Sequence, residues 1–346
     1  MLIGISGTLG SGKTEVARYL TLKGFQYIDF DRNVITTDGL IDEEVEAKDG
    51  DEDEINKFTT RLSINDQNNE LIPDLKFKDI EAMIDYVTKN WLENFVFTDI
   101  NSKDDLIKLS KRPFFLHISI DAPLKIRYKR YNEDNNNIKI MEFIEVSDFQ
   151  NFNNSLCEII SQSTIKIINK SSNIEGLYSQ LDQLKLLDPT RLRPNWDSYF
   201  MRLADLAALR SNCMKRRVGC VIVRDKRVIA TGYNGTPRHM KNCNEGGCHR
   251  CNHGNGSGAA LSTCLCLHAE ENALLESGRD RIGINSTLYC NTHPCLTCSI
   301  KIVQTGLKEV VYTQSYSMDE LSSKVLKEGG VILRQYIPPK DGIIII

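Results

Sequence analysis

Two short motifs in the last third of the chain carry the residue types of a metal site. They are His268-Ala-Glu270 and Pro294-Cys-Leu-Thr-Cys298. One imidazole and two thiolates provide three ligands, and this set leaves the fourth position of a tetrahedral zinc ion open for water. The Glu270 carboxylate lies two residues from the histidine, too close to serve comfortably as a separate ligand. We therefore expect a catalytic zinc site in which Glu270 moves protons.

The chemistry that such a site favours is hydrolytic deamination of a nucleobase. Zinc lowers the pKa of water from 15.7 to about 7, so that hydroxide can attack a ring carbon that carries an exocyclic amine. Glu270 can protonate the adjacent ring nitrogen and then the departing ammonia. The order H-x-E…P-C-x-x-C is typical of zinc-dependent nucleobase deaminases. A C-x-x-C pair alone would also fit a redox pair or a structural zinc corner, but here the histidine motif precedes it across a predicted strand over residues 287–290.

Two helices are expected to position these groups. Residues 268–276 predict one helix, ended by Ser277-Gly278, whose first turn presents His268 and Glu270 to the metal. Pro294 is expected to be the first residue of the other helix, where its missing N–H costs nothing. The two cysteines of the second motif then lie one turn apart, at a helix N-terminus that favours thiolates.

The length of 346 residues suggests two domains. Residues 1–187 alternate predicted strands and helices and form an α/β domain that begins with a phosphate-binding loop. Residues 188–194 contain two prolines and are expected to be the linker. Residues 195–346 predict a three-layer α/β/α domain with a mixed five-stranded sheet. The acidic segment at about 36–70 is expected to be a mobile insertion into the first domain.

Charge and cysteine usage narrow the class of protein. The net charge of −3 and the pI near 6.1 give no sign of a nucleic-acid-binding surface. The apolar runs are shorter than the roughly 18 residues of a membrane span, and Met1–Ser6 reads as a buried strand and not as a signal peptide. Of the 11 cysteines, only Cys157 precedes residue 200, which favours metal ligation and reduced thiols. We expect a cytoplasmic protein, with a nuclear location left open, and neither membrane nor nucleic-acid partners.

The second domain resembles the deoxycytidylate (dCMP) deaminase family of the cytidine deaminase superfamily, and the two-domain layout resembles the fungal members. The resemblance rests on Arg217-Val-Gly-Cys-Val-Ile-Val223, Thr231-Gly-Tyr-Asn-Gly-Thr-Pro237, His268-Ala-Glu-Glu-Asn-Ala273 and Pro294-Cys-Leu-Thr-Cys298. The resemblance implies that His268, Cys295 and Cys298 are the zinc ligands and that Glu270 is the proton donor. It also implies conversion of dCMP to dUMP for thymidylate synthesis, and homo-oligomers, often hexamers, that dCTP activates and dTTP inhibits.

The loop Gly232-Tyr233-Asn234-Gly235 is the expected nucleotide contact. Its glycines let backbone N–H groups approach a ligand, and Asn234 could hydrogen-bond a sugar hydroxyl or a base. An ordinary turn would also explain an Asn-Gly pair. The resemblance favours the nucleotide contact but leaves open whether substrate or effector binds there. The role of the basic residues Lys215, Arg216 and Arg217 also stays open. They could contact phosphate across a subunit boundary, or they could simply solvate a strand edge.

A cysteine-rich stretch precedes the first motif, and the resemblance implies that some relatives bind a second, structural zinc there. Our preferred ligands are Cys213, Cys243 and Cys248. The fourth ligand could be Cys251, His253 or Cys264, and the sequence does not choose among them. Free thiols in a mobile loop are the alternative. The stretch also contains Cys266 and His249.

The chain begins with a complete G-x-x-x-x-G-K-[ST] phosphate-binding loop, or P-loop. Backbone N–H groups between Gly7 and Gly12 would cradle phosphates, Lys13 would reach the β- and γ-phosphates, and Thr14 would hold Mg²⁺. Small nucleotide kinases such as dephospho-coenzyme A kinase resemble this region, and the resemblance rests on Asp121-Ala-Pro123, Arg127 and Arg130, with Asp29 and Asp31 as substrate-side acids.

Two features favour a vestigial or regulatory domain over an active kinase. One is the acidic insertion, and the other is the lack of a convincing second Mg²⁺ acid or arginine-rich lid in the sequence. Two other functions stay open for the whole chain. One is a superfamily deaminase that acts on a free nucleoside, a tRNA base or a pterin-like ring. The other is a nucleotide kinase with a zinc-bound regulatory module.

Overall fold

The computed structural model describes residues 1–31, 71–134, 138–153, 155–171, 173–254, 260–315, 319–338 and 342–346. They divide into two compact units: a first unit of Met1–Asp188 with Lys340–Ile346, and a second unit of Pro189–Pro339. The predicted acidic insertion at about 36–70 lies outside the described residues. Within these ranges, a helix long and apolar enough to cross a lipid bilayer is absent.

The first unit is built on a parallel sheet, as expected for a P-loop α/β domain. Among the described residues it has seven strands, in the order β12-β6-β5-β1-β4-β2-β3. Their bounds are β1 Leu2–Gly7, β2 Gln26–Phe30, β3 Leu75–Phe77, β4 Phe95–Phe97, β5 Phe115–Asp121, β6 Ile165–Ile168 and β12 Gly342–Ile345. The central strand β1 is buried along its whole length, which explains its unbroken run of apolar and small residues.

Helices connect and cover these strands. They are α1 Lys13–Leu22, α2 Ile80–Lys89, α3 Lys103–Ser110, α4 Leu124–Asp134, α5 Ile140–Asp148, α6 Leu156–Ser161 and α7 Ile174–Leu184. Several begin with a side-chain cap: Asp79 accepts from the Ala82 N–H, and Asn173 accepts from the Gly176 N–H. These caps satisfy backbone donors that the first helical turn leaves free.

The last strand differs from the predicted boundary, which assigned all of residues 195–346 to the second domain. Strand β12 pairs in parallel with β6, and Ile344 lies opposite Ile167. Without β12, β6 would be an apolar edge with unpaired backbone groups, and covering such an edge is favourable. The first unit therefore includes the last strand of the sequence, and the second unit lies between its two parts in sequence.

The second unit has the predicted mixed five-stranded sheet. In the described residues its order is β11-β10-β9-β7-β8, with β10 parallel to β9 and β11 and β7 antiparallel to β8 and β9. The strands are β7 Gly219–Arg224, β8 Arg227–Tyr233, β9 Ser286–Thr292, β10 Glu309–Gln314 and β11 Ile332–Gln335, and the helices are α8 Trp196–Ala208, α9 His249–Asn252, α10 Ala269–Ile282, α11 Leu296–Thr305 and α12 Asp319–Glu328.

Alternation along these strands builds two cores and confirms the three-layer prediction. On one face, Ile222 and Leu288 pack with residues of helices α10, α11 and α12. On the other face, Val221 and Tyr289 pack with α8. Because neighbouring strand residues point to opposite faces, each of these strands supplies both cores.

Candidate active site

Helices α10 and α11 carry the two sequence motifs, with small differences from the predicted bounds. The first helical segment of α10 ends at Ser277-Gly278 as predicted, because Gly278 takes the non-helical angles φ 66° and ψ 157°, and a second segment continues beyond this kink to Ile282. Pro294 is not the first residue of α11, because Cys295 has an extended backbone and is the N-cap. His268 is likewise the N-cap of α10. The two helix N-termini therefore hold the expected ligands.

The predicted ligands come together between these N-termini. The His268 Nδ1 atom lies 3.3 Å from the Sγ atoms of Cys295 and Cys298 alike, and the three ligand atoms form one group. A tetrahedral zinc ion at about 2.3 Å from sulfur and about 2.0 Å from nitrogen separates such atoms by about 3.5 Å. The number, type and spacing of these donors therefore fit one zinc ion.

The thiols of this group are poised to bind a cation. Hydrogen bonds from Cys298 and His268 lower the pKa of Cys295 to about 3. The Cys295 thiolate, together with burial, raises the pKa of Cys298 well above its ordinary value. The same thiolate raises the pKa of His268 to about 9. A cation that bound all three side chains would release these protons.

The Glu270 carboxylate lies beside this group and is almost completely buried, with 3% of the residue exposed. Burial raises its pKa to about 6, and the neighbouring His268 charge opposes that rise. A buried carboxylate has little access to solvent protons, so any proton that it carries is available to groups in the site. The arrangement suits general acid–base catalysis next to a metal.

A second carboxylate holds the backbone of the histidine at the helix start and was not among the predicted site residues. Glu271 accepts a hydrogen bond from the His268 backbone N–H at 3.1 Å, and its other oxygen pairs with Lys301. This contact is half of a capping box, in which the third helical residue bonds back to the N-cap. The H-x-x-E spacing of His268 and Glu271 was the signal that could have identified it.

The Gly232–Gly235 loop is tied to protein groups. The Asn234 side chain accepts from the Val218 N–H at 2.8 Å and from the Ser211 hydroxyl at 2.6 Å, and its amide donates to the Arg216 carbonyl at 2.8 Å. The amide oxygen therefore already accepts two hydrogen bonds, and a nucleotide acceptor could use the second N–H of the Asn234 amide. The Tyr233 carbonyl accepts from Asn272 on α10.

Gly232 has a packing role that its sequence motif did not reveal. A Cβ atom at this position would lie 2.1 Å from the Ala269 carbonyl and 2.6 Å from the Ala273 nitrogen. Only glycine permits strand β8 to approach α10 so closely. Because Ala269 lies between His268 and Glu270, this close approach positions the helix that carries both residues.

The cysteine-rich stretch forms two groups of four thiols. Cys213 and Cys243 share one group with Cys251 and Cys266, and the other group is formed by Cys248, Cys251, Cys264 and Cys266. Cys248, a preferred partner of Cys213 and Cys243, therefore belongs to the group that does not contain them. His253 stacks on His249 with 3.7 Å between ring centroids, and neither histidine belongs to these groups of described residues.

The P-loop lies where its sequence context predicts. Gly7 ends β1, Gly12 is the N-cap of α1, and Lys13 and Thr14 begin the helix. The Lys13 ammonium donates to the Gly7 carbonyl at 3.2 Å. Burial lowers the pKa of Lys13, whereas the charge of Asp99 opposes this.

Asp99 is a candidate Mg²⁺-side acid that the sequence analysis missed. It follows β4, which lies next to β1 in the sheet. The signal was the run Phe95-Val-Phe-Thr-Asp99, an acid directly after a short buried strand. The other predicted acids, Asp29 and Asp31, lie in β2 and directly after it.

The kinase-like arginines bind the loop backbone. Arg130 donates to the Ser11 carbonyl at 3.0 Å, and Arg127 donates to the Leu9 carbonyl at 3.5 Å as well as to the Ala122 carbonyl at 3.0 Å. Asp121 accepts from the Thr8 hydroxyl at 2.5 Å. These side chains therefore brace the P-loop from α4 and from the end of β5.

Comparisons with known proteins agree with both units. Residues 194–314 match the family described as "Cytidine and deoxycytidylate deaminase zinc-binding region", and residues 3–160 match a family described as "AAA domain". A crystal structure of dCMP deaminase from the cyanophage S-TIM5 in complex with dCMP and dUMP is 30% identical, covers 42% of this chain and 98% of its own, and has a TM-score of 0.34.

Two fungal relatives extend over most of the chain. The deoxycytidylate deaminase of Schizosaccharomyces pombe is 47% identical over 346 residues, which is 99% of each chain. The deoxycytidylate deaminase of Saccharomyces cerevisiae is 53% identical over 269 residues, which is 74% of this chain and 85% of that one. With this identity over nearly its whole length, the chain belongs to the deoxycytidylate deaminase family.

Proposed function

We propose that this protein hydrolyses dCMP to dUMP and ammonia, with one catalytic zinc ion held by His268, Cys295 and Cys298. The observation that carries the proposal is the group of three ligand atoms beside the buried Glu270. The names of the two fungal relatives support dCMP as the substrate. Glu270 is the proposed catalytic residue.

The mechanism assigns one task to each residue of the site. When bound, zinc supplies the Lewis acidity that makes water nucleophilic near neutral pH. Glu270 takes the proton of the attacking water, delivers it to the ring nitrogen of cytosine, and carries a second proton to the departing amine. Glu271 fixes the backbone of His268 at the start of α10 by accepting from its N–H, as in a capping box.

The proposal extends to metabolism and regulation. The dUMP product would supply thymidylate synthesis in the cytoplasm, and the enzyme would form homo-oligomers, possible hexamers among them, that dCTP activates and dTTP inhibits. The loop Gly232–Gly235 would contribute backbone groups to nucleotide binding, since Asn234 already has protein partners. This part of the proposal rests on the family resemblance.

A substrate panel tests the reaction directly. We expect ammonia release from dCMP at a higher kcat/KM than from cytidine, a tRNA anticodon stem-loop or a diaminopyrimidine. We also expect dCTP to raise, and dTTP to lower, the rate at subsaturating dCMP. Faster turnover of cytidine than of dCMP would overturn the choice of substrate, and rates indifferent to both triphosphates would overturn the proposed regulation.

The first unit is proposed to bind a nucleoside triphosphate with Mg²⁺ at the P-loop. The supporting observations are the position of Lys13 and Thr14 at the start of α1 and the proximity of Asp99 to Lys13. A regulatory role is preferred to phosphate transfer. The opposite assignment, a kinase with a regulatory zinc module, would be favoured by ATP-dependent phosphate transfer that survives Glu270→Ala in a protein without deaminase activity.

Lys13→Ala is expected to weaken binding of a fluorescent ATP analogue by about tenfold or more, because one lost charge-assisted contact to phosphate is worth about 1.5–3 kcal/mol. We expect deamination at saturating dCMP to stay close to the parent rate, because the proposed zinc ligands and Glu270 belong to the second unit. Lys23→Ala, at a half-exposed lysine paired with Asp182, is the matched control. A folded Lys13→Ala protein that lost deamination would show that the two units are catalytically coupled.

A further inference from the structure

Six cysteine side chains of the second unit form a single cluster of sulfur atoms. Its two groups of four both contain Cys251 and Cys266. The other two thiols are Cys213 and Cys243 in one group, and Cys248 and Cys264 in the other. We call these six residues the six-thiol cluster.

The spacing of the sulfur atoms matches the edges of two zinc–thiolate tetrahedra. With zinc–sulfur distances of about 2.3 Å, two thiolates on one tetrahedral ion lie about 3.8 Å apart. The Sγ atom of Cys251 lies 3.8 Å from that of Cys213, 3.7 Å from that of Cys264 and 3.9 Å from that of Cys266. A disulfide would require about 2.05 Å, and all six thiols are free.

We propose that the six-thiol cluster binds two zinc ions, with Cys251 and Cys266 as bridging ligands and the other four cysteines as terminal ligands. Each ion then has four thiolates, which is the closed coordination of a structural zinc site. The proposal replaces the single structural zinc expected from Cys213, Cys243 and Cys248 with a binuclear centre. Because two ions share two sulfurs, six cysteines suffice where separate sites would need eight.

Nearby hydrogen-bond donors support thiolates in the cluster. Six thiolates and two divalent ions leave a net charge of −2, which a buried site must compensate. The Arg250 guanidinium lies 3.8 Å from the Cys264 sulfur in a residue that is only 7% exposed. The Met214 backbone N–H also donates to the Cys243 sulfur at 3.4 Å. A buried arginine beside sulfur atoms is favourable only if those sulfurs carry negative charge.

Packing gives a reason for the metal. The buried members of this cluster of described residues are Cys243, Cys248, Cys251 and Cys266, and the partly buried side chains packed against them are Cys213 and Cys264. In the described part of residues 238–266, the chain around the cluster forms short helical turns, such as Cys243–Glu245 and His249–Asn252. A segment with so little apolar core generally needs a metal or a disulfide to fold stably.

Zinc is favoured over an iron–sulfur cluster. Tetrahedral sites made only of sulfur are typical of both. In this cluster, however, protein thiolates occupy the shared positions that inorganic sulfide would fill between two irons. The cluster therefore supplies its own bridges and calls for a metal that binds thiolates without added sulfide.

The cluster also positions the proposed active site. Cys266 is followed by Leu267, which exchanges two backbone hydrogen bonds with Gly235 at 2.8 and 3.2 Å, and by His268. At the other end, the Cys213 N–H donates to the Ser211 hydroxyl at 3.2 Å, and this hydroxyl donates to the Asn234 side chain. The binuclear centre would therefore hold together the Gly232–Gly235 loop and the start of helix α10.

Metal analysis of the full-length Cys295→Ala protein tests the proposal independently of the deaminase function. This variant lacks one ligand of the His268 site, so we expect two zinc ions per chain after dialysis, both in the six-thiol cluster. Cys157→Ala, at an exposed cysteine of the first unit, is the control and should keep three ions per chain, one for each group of ligands. One or no zinc ion in dialysed Cys295→Ala, or iron in place of zinc, would overturn the binuclear centre.

Cadmium-113 NMR distinguishes a bridged pair from two separate sites. After exchange of zinc for ¹¹³Cd, two resonances from the cluster should split each other, because the shared thiolates of Cys251 and Cys266 couple the two ions. Two unsplit cluster resonances would overturn the bridging assignment. The measurement uses the parent protein, so it stays decisive if Cys251→Ala and Cys266→Ala, each expected to lose both ions, fail to fold.

Discussion

Replacement of Glu270 by glutamine is expected to lower kcat for dCMP deamination by about 10²–10⁴-fold or more, because general acid–base catalysis by one group is typically worth that much and Glu270 acts more than once. The amide preserves the volume of this buried side chain but cannot carry a proton. The zinc content of the purified variant should stay at the parent value. Steady-state ammonia release and metal analysis on the same preparation measure both quantities.

Glu276→Gln is the matched control for this substitution. Glu276 lies on the same helix, is exposed and pairs with Arg238 at the surface, so we expect its loss to change kcat little. If Glu270→Gln kept near-parent turnover at saturating dCMP, proton transfer would have to be assigned to another group.

Replacement of Cys298 by alanine is expected to abolish deamination together with the catalytic zinc. Cys298 is fully buried and would leave only His268 and Cys295 to hold the ion. Loss of a group that only hydrogen-bonds to a metal ligand typically costs about 10- to 100-fold in metal affinity. The loss of a direct ligand should therefore exceed that range. Zinc per chain after dialysis, measured beside the rate, should fall by one ion.

Cys290→Ala separates ligand loss from the loss of a buried thiol. Cys290 is also fully buried in the core of the second unit, yet it belongs to none of the thiol groups found among the described residues. We expect this control to keep its full zinc content. A Cys298→Ala protein with the parent zinc content and parent activity would exclude Cys298 as a ligand.

These two substitutions should fail in different ways, and the difference is informative. Glu270→Gln should give a zinc-loaded protein that turns over slowly, whereas Cys298→Ala should give a protein that lacks one zinc ion. Addition of zinc to the assay should leave the rate of Glu270→Gln unchanged, because its defect is proton transfer. The pair therefore separates the proposed acid–base residue from the proposed ligand.

Local patterns were sufficient to predict most of the architecture. The sequence predicted a mixed five-stranded sheet for the second domain, and the P-loop sequence predicted the turn from β1 into α1. The spacing of His268, Cys295 and Cys298 predicted that these side chains meet, because a histidine at one helix start and two cysteines one turn apart at another leave few other arrangements. Periodicity and chelating spacing are properties of neighbouring residues, so a sequence by itself determines them.

Helix ends and edge strands were predicted less well, for a physical reason. Pro294 suits the first position of a helix, but Cys295 keeps an extended backbone and becomes the N-cap of α11 instead. Likewise, Gly342–Ile345 reads as an ordinary continuation of the second domain, and its pairing with β6 depends on an edge formed more than 170 residues earlier.

Only the tertiary structure decided which cysteines belong together. The sequence favoured Cys248 as a partner of Cys213 and Cys243, whereas the fold places it with Cys264 and makes Cys251 a member of both groups. In the same way, the fold turned the Asn234 amide toward Val218 and Arg216. Chelating spacing limits which ligands can share an ion, but the meeting of Cys213 with Cys251 depends on how two distant loops pack, and that packing is decided by the whole unit.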